Sequence, residues 1–524
     1  MRSNAECLLP TLSLCARMSR ADDGVSSEAL KHLRRGLVLL LAVTLFPSAL
    51  RAQSLDGIWR AEGYGDVYDI HGDALKVFEV TTTTCVPGET LERDNANIAG
   101  REGTFKTKDG DVVFMRSGGT ANHKLMHEEG SASDRRINRL DRLPAVCDHP
   151  TTNTPADNFE VFARTWAENY ILFNERHADW NAIVAANRKK VTPQTTSDEL
   201  FDALQSMIAP FHDAHTSISA PDLKQTFHAY REGTERINKG NPGDFFRKRM
   251  PELHAVTDRV YLDAPLHQYC NGRVSYGHVK DTEIGYLRIL AFAGYAQQGG
   301  YAAGSEALES ALDEIFSDPK LKALVIDVRI NFGGYDPWGL AIASRLATHD
   351  YLAYAKVAHT NPPARNPWTP PDPSMVRPSS RPGFHGPVVE LTSAMTISAG
   401  ETFTQALMGR APHVTRIGEN TQGVFSDVLG RSLPNGWKFG LPNEIYRNEK
   451  GKTFDVVGIP PEIEVPVFAD ADVSAGKDPA MARALEILNQ QLQPTVPQQP
   501  FRDLPTVFRI VDCPVMPLTR DSSR

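Results

Sequence analysis

The chain has 524 residues, too many for one hydrophobic core, so two or three domains are expected. With 41% hydrophobic and 23% charged residues its composition fits a soluble globular protein. A formal net charge of -8 is mild for this length, and no basic block exists to neutralise a row of phosphates, so nucleic acid is excluded as an expected partner.

In chain order, the basic segment Lys31-His32-Leu33-Arg34-Arg35 precedes an apolar run over 36–46 and a small-residue stretch ending Ala49-Leu50-Arg51-Ala52. That order is the pattern of a secretory signal peptide, so 1–52 reads as a leader, with periplasmic or secreted localisation and no membrane attachment after signal removal. The run is short for a bilayer span, which ranks an uncleaved anchor second. Met18 is an alternative start. Beyond the leader stand Cys85, Cys147, Cys270 and Cys513, an even set in a chain sent to an oxidising compartment. Cys85 with Cys147 is the preferred pair, because both lie in the first folded region. No C-x-x-C pair points to zinc or redox chemistry.

Over 53–150, short runs such as Val67-Tyr68-Asp69-Ile70 and Lys76-Val77-Phe78-Glu79-Val80 alternate with Gly, Asp and Asn, which predicts a small antiparallel β domain. Its Gly57-Ile58-Trp59 resembles the opening of lipocalin-like barrels. Phe159, Phe162, Trp166 and Tyr170 then recur at helical spacing, and Leu200, Leu204, Met207 and Ile208 do so after the capping box Thr196-x-x-Glu199. These stripes predict a helical subdomain over 155–220, with Pro210 ending the second helix and leaving His212-Asp213-Ala214-His215-Thr216 on the turn beyond. From 270 to 470 strands at 284–289, 323–328 and 388–391 alternate with helices at 305–316, from Asp336 and from Ala399, so the fold class is α/β with a largely parallel sheet. A Pro-rich insertion, 360–383, reads as an extended surface loop, and 471–524 as a helix, 479–492, with a Gln/Pro-rich tail.

Three places in this pattern have chemical potential. Gly333-Gly334 follows a buried strand and either turns the chain or brings bare N–H groups to a ligand. Ser398 lies where a strand gives way to a helix, either as an N-cap or as a nucleophile facing the positive end of the helix dipole beside the N–H of Ala399. A serine hydroxyl needs a base, for which His215 is the candidate; with His212 it also forms a pair that reads as a metal pair or as surface histidines.

Taken together, Phe211-His212-Asp213-Ala214-His215-Thr216, Ile326 to Gly334, Thr396-Ile397-Ser398-Ala399-Gly400-Glu401, Gly418 to Gly423 and Gly458-Ile459-Pro460-Pro461-Glu462 resemble, in order, the segments of the serine peptidase family of the C-terminal-processing (tail-specific) proteases and tricorn core proteases. The resemblance implies a crotonase/ClpP-like catalytic core, peptide-bond hydrolysis through an acyl-enzyme, a peptide or protein substrate, and no cofactor or metal. Members with a Ser-Lys dyad carry lysine where this chain has Val424, and Lys438, Lys450 and Lys452 fit no such pattern. The resemblance is therefore closer to the histidine-using tricorn-like branch. It implies Ser398 as nucleophile, His215 as base, Asp455 as the acid in a glutamate position, and Gly333, Gly334 and Ala399 as oxyanion donors.

Two other readings compete. Ala214 lacks the bridging hydroxyl of some members, Asp455 is one methylene short, and 216–276 is poor in the pattern of a PDZ domain; these features fit a peptidase-fold protein that binds a ligand or peptide without turnover. Alternatively, the β domain is itself a ligand- or surface-binding module. Oligomeric state leaves no signature in the sequence.

Overall fold

The computed structural model describes residues 55–95, 98–239, 242–360 and 367–493, and these described residues belong to one compact unit. The leader and Cys513 lie outside the described residues.

The β domain is a closed antiparallel barrel of eight strands, Gly57–Ala61, Asp66–His71, Ala74–Val80, Cys85–Asp94, Gly103–Lys106, Val112–Thr120, His123–Glu128 and Arg135–Leu140. The last strand pairs with the first, Ile58 opposite Leu140, so the barrel has no free edge. Cys85 and Cys147 form the expected disulfide, fastening the turn after the last strand to the fourth strand, while Cys270 is free and buried. Inside, Trp59, Phe105 and Met115 fill part of the barrel, and a cavity of about 400 Å³ remains, with Arg431 and Phe439 of a later hairpin in its wall.

Helix Pro155–Asn169 starts at Thr154, whose Oγ1 accepts the Asp157 amide at 3.1 Å, and Pro155 stands at its first position, where its missing N–H costs nothing. Helix Ser197–Ile208 carries the expected capping box of Thr196 and Glu199. The aromatic stripe is core: Phe162, Trp166 and Leu204 pack in one cluster with barrel residues Trp59 and Phe105 and with Phe439 and Leu441 of the hairpin. Each such side chain contributes about 2 kcal/mol on burial. The expected boundaries at 150 and 220 thus mark changes of secondary structure within a shared core.

The central sheet has seven strands in the order His267–Tyr269, Val274–His278, Ile284–Ile289, Ala323–Asp327, Val388–Thr392, Val414–Gly418, Ile463–Glu464. From Ile284–Ile289 onward the pairing is parallel, as the alternation of strands and helices requires. Helix Gly300–Phe316 starts five residues earlier than expected, and Asp336–Leu346, Ala399–Leu407 and Pro479–Leu492 start at the expected residues. The Pro-rich insertion departs from a plain loop: Asp372–Val376 is an edge strand on Tyr351–Ala358, a position where Pro373 is tolerated. Between 221 and 270 the chain forms helices Glu232–Asn238 and Met250–Tyr261 joined through a π-helical turn, Phe245–Arg249.

A four-stranded sheet, Gln225–His228, Ser217–Ala220, Lys438–Pro442, Val428–Ser432, ties the helical part to the α/β core. Ser217 stands opposite Gly440, so the turn carrying His215 is delivered to the core by backbone pairing.

Candidate active site

The short parallel pair Ile330–Asn331 with Met395–Thr396 brings the glycine turn against the serine turn. Asn331 organises both. Its Nδ2 donates to Ile289 O at 2.8 Å, its Oδ1 accepts the Gly333 amide at 2.9 Å, and its carbonyl accepts the Ile397 amide at 3.0 Å. A Cβ at Gly333 would stand 2.6 Å from Ser398 Cβ and 3.1 Å from Ala399 N, and one at Gly334 would stand 2.2 Å from Phe292 O. With φ of 73° and 134°, both positions require glycine on conformational and steric grounds.

Ser398 has φ 56° and ψ -120°, far from the extended conformation of an ordinary N-cap. A non-glycine residue in such a region costs about 1–3 kcal/mol and persists only where its surroundings impose it. Glu401 imposes it here: one oxygen accepts the Gly423 amide at 2.6 Å, the other the amides of Val424 at 2.8 Å and Ser398 at 3.3 Å. Burial lifts the Glu401 pKa to about 7, against the donors Thr421, Val424 and Gly423.

His215 sits on the expected turn. Asp213 Oδ1 accepts the His215 amide at 3.0 Å, while Asp213 Oδ2 accepts from Arg176 at 3.0 Å and from Tyr170 at 3.2 Å. His215 is 8% exposed, and its Nδ1 is buried without a hydrogen-bond partner among the described residues. Burial pushes its pKa down, against the upward pull of Asp213, Asp427 and the Ser426 backbone. At neutral pH the ring is therefore uncharged and free to take a proton. His212 is exposed, with Nδ1 3.2 Å from Tyr230 O, and it does not line the cavity that His215 lines.

Ser398, His215 and Gly334 share the wall of a cavity of about 480 Å³, together with Phe245, Phe246, Phe332 and Met395. Asp455 does not line it. Asp455 Oδ1 accepts the Phe425 amide at 3.3 Å, Oδ2 accepts from Thr453 at 2.5 Å, and burial lifts its pKa to about 7. Val424 is buried, and Lys438, Lys450 and Lys452 stand away from the cavity wall. The carboxylate that does line it, Asp427, was not singled out by sequence; its one signal is a place three residues beyond Val424, in the stretch where the dyad members keep their base.

Residues 283–465 match the model of peptidase family S41. That span contains the glycine turn, Ser398, Asp427 and Asp455, and lies downstream of His215. A candidate peptidase from Parabacteroides merdae ATCC 43184 is similar in structure, with 26% identity over 64% of this chain and 97% of its own, at a TM-score of 0.53. Mature CPAF bound to lactacystin (12% identity, 64% and 97% covered, TM-score 0.46) and the tricorn protease (14%, 81% and 45%, 0.40) are more distant. No match is found among curated proteins. The matched segment and the shared fold support a serine-type peptidase, with the likeness to peptidase family S41 carried by 283–465.

Proposed function

We propose that the chain is an exported serine endopeptidase that cleaves peptide bonds through an acyl-enzyme on Ser398, with His215 as general base. The observation that carries this reading is the strained backbone of Ser398 at a helix start, pressed against Gly333 and opening into the cavity that holds the neutral His215.

In the acylation step Ser398 Oγ bonds to the substrate carbonyl carbon while its proton passes to the His215 ring. The carbonyl electrons move onto oxygen. Because the Gly333 amide is committed to Asn331 Oδ1, the amides of Gly334 and Ala399 are the donors left for that oxyanion. Each donor of this kind contributes about 3 kcal/mol to the transition state. The C–N bond then breaks, His215 returns the proton to the leaving amine, and water attacks the ester by the same route in reverse. Asp455 stands in the acid position by resemblance and acts on the loop through the Phe425 amide. Export rests on the leader at 1–52, and among the described residues no helix is long and apolar enough to cross a membrane.

The test is Ser398→Ala. The variant is expected to keep the wild-type unfolding midpoint and to lose both casein hydrolysis and labelling by a fluorophosphonate. Cleavage by Ser398→Ala at the wild-type rate refutes the assignment, whereas a wild-type protein that resists labelling and cleaves nothing supports the peptide-binding reading.

A further inference from the structure

A base that becomes an imidazolium inside a closed wall needs an anion within reach, and a ring that must present one nitrogen to serine needs something to hold the other. The described structure leaves His215 Nδ1 buried and unpartnered. Asp213 is fully buried and spent on Arg176, Tyr170 and the His215 backbone amide. Asp455 is spent on Thr453 and the Phe425 amide, outside the cavity wall. Asp427 is different: its side chain is 50% exposed and lines the same cavity as His215 and Ser398.

Sheet register explains the meeting. Ser217 and Val428 belong to the two strands that flank Lys438–Pro442, with Ser217 opposite Gly440 and Val428 opposite Pro442. Continued past their ends, those registers bring His215 and Asp427 to the same end of the sheet, two strand spacings or about 10 Å apart in backbone. Opposite Ser217 on the middle strand is Gly440, where a Cβ would stand 2.6 Å from Val428 Cγ1, 3.2 Å from Ser217 Oγ and 3.7 Å from His215 O. The missing side chain leaves the space over the middle strand to the flanking groups.

Asp427 is also held. Lys356 Nζ contacts Asp427 Oδ2 at 2.9 Å and Glu444 Oε1 at 3.1 Å, and Glu444 Oε2 accepts the Asp427 amide at 3.1 Å. Lys356 is 6% exposed, so its charge is shielded from water and committed to these two carboxylates. Tyr446 reaches Asp427 Oδ1 at 3.4 Å, leaving that oxygen the less engaged of the two.

We propose that Asp427, rather than Asp455, is the carboxylate that orients His215 and balances the imidazolium, with Lys356 fixing it in place. Asp427 is thus a positioning residue for the proposed hydrolysis, and the inference rests on Ser398 and His215 being its nucleophile and base. The groups around His215 divide by element: Asp213, bonded to Arg176 and Tyr170, on the helical side; His228 and Tyr230 in the cavity wall; and Asp427, bonded to Lys356, with the Ser426 backbone on the core side. The interaction acts in both directions, since Asp213 and Asp427 both pull the His215 pKa up against burial, and Lys356, Arg135 and His215 hold the Asp427 pKa down.

The test measures the rate of fluorophosphonate labelling of Ser398 against pH in the full-length protein, for wild type, Asp427→Asn, Asp427→Glu and Asp455→Asn. Asp427→Asn is expected to lower the rate on the order of 100-fold, the scale of a general-base contribution, and to move the acidic limb to lower pH, because the imidazolium loses one of the two carboxylates that favour it. Asp427→Glu should restore most of the rate and the limb. Asp455→Asn is expected to lower the rate through its loop without moving the limb. A wild-type rate and limb in Asp427→Asn overturns the proposal, as does a limb that moves only in Asp455→Asn. Unchanged labelling with a raised KM confined to basic peptides also overturns it, by making Asp427 a substrate contact. Labelling that survives Ser398→Ala brings down the underlying reading instead. Matching urea midpoints guard against misfolding, and Asp427→Glu keeps the test valid if Asp427→Asn folds poorly.

Discussion

Gly333→Ala tests how tightly the serine turn is built. The added methyl would stand 2.6 Å from Ser398 Cβ and 2.9 Å from Ile397 O, about 1 Å inside the optimal carbon–carbon separation in the first case. Two costs add: alanine at φ 73° is strained by about 1–2 kcal/mol, and overpacking in a closed turn costs about 1–3 kcal/mol. Gly451 separates them, because it has the same φ of 73° with nothing within 4 Å of its hypothetical Cβ. Gly451→Ala should lose about 1 kcal/mol in urea unfolding and keep its rate of fluorophosphonate labelling. Gly333→Ala should lose about 3 kcal/mol and, by displacing Ser398 about 1 Å, label on the order of 100-fold more slowly. The reasoning fails if Gly333→Ala labels at the wild-type rate, or if the two variants are equally destabilised.

The Cys85–Cys147 bridge closes a loop with a sequence separation of 62, for which chain entropy gives about 4 kcal/mol; Cys85→Ala is expected to lower the urea midpoint, and thiol reductant to destabilise the wild type without affecting that variant further. Glu390 is buried in the central sheet, with Oε1 accepting from Thr404 at 2.8 Å and Oε2 unpartnered among the described residues, and burial lifts its pKa from 4.5 to about 7. The folded state therefore holds a proton that the unfolded state releases between those values, so this group's contribution is full below pH 4.5 and is lost as pH rises through about 7. Glu390→Gln should match wild type at pH 4.5 and exceed it by up to about 3 kcal/mol at pH 8; equal stability at both pH values in urea titrations contradicts the assignment.

Much of the fold was legible because its signals are local. The period-2 runs gave strands, the 3.6-residue stripes gave helices, and Thr196 with Glu199 marked a helix start that the structure reproduces. Ser398, His215 and the two glycines were legible as an ordered set of motifs, and the structure brings Ser398, His215 and Gly334 to one cavity with Gly333 packed behind the serine. Three things were not legible. The edge strand Asp372–Val376 hides in proline-rich sequence, because an edge tolerates the missing donor that a central strand does not. Phe245 and Phe246 reach the cavity from a π-helical turn, a geometry with no sequence period of its own. Asp427 follows no motif, since it meets His215 only through the pairing of Ser217–Ala220 with Lys438–Pro442, a long-range register that local patterns do not encode.

The barrel and the cavity that Ser398 and His215 line are joined by a chain of hydrogen bonds and ion pairs. Tyr64, in the first barrel turn, donates to Glu444 Oε1; Glu444 receives the Asp427 amide and Lys356, which holds Asp427 at the cavity. Asn443 donates to Gly63 O at 3.0 Å, and Arg431 pairs with the barrel's Asp66 at 3.1 Å. Arg431 lies in the first strand of the hairpin and Asn443 directly after its second; the first strand begins next to Asp427, and the second pairs with the strand after His215. Buried charges of this kind contribute little net stability when every partner is present, yet removing one partner leaves another uncompensated in a medium that solvates it poorly. The arrangement therefore fixes positions rather than adding stability. A barrel that serves only export or targeting has no need to supply a hydroxyl to the carboxylate that anchors Lys356, whereas a barrel that sets the geometry of the base does. On the proposed assignment of Ser398 and His215, the eight-stranded domain belongs to the unit that positions the base.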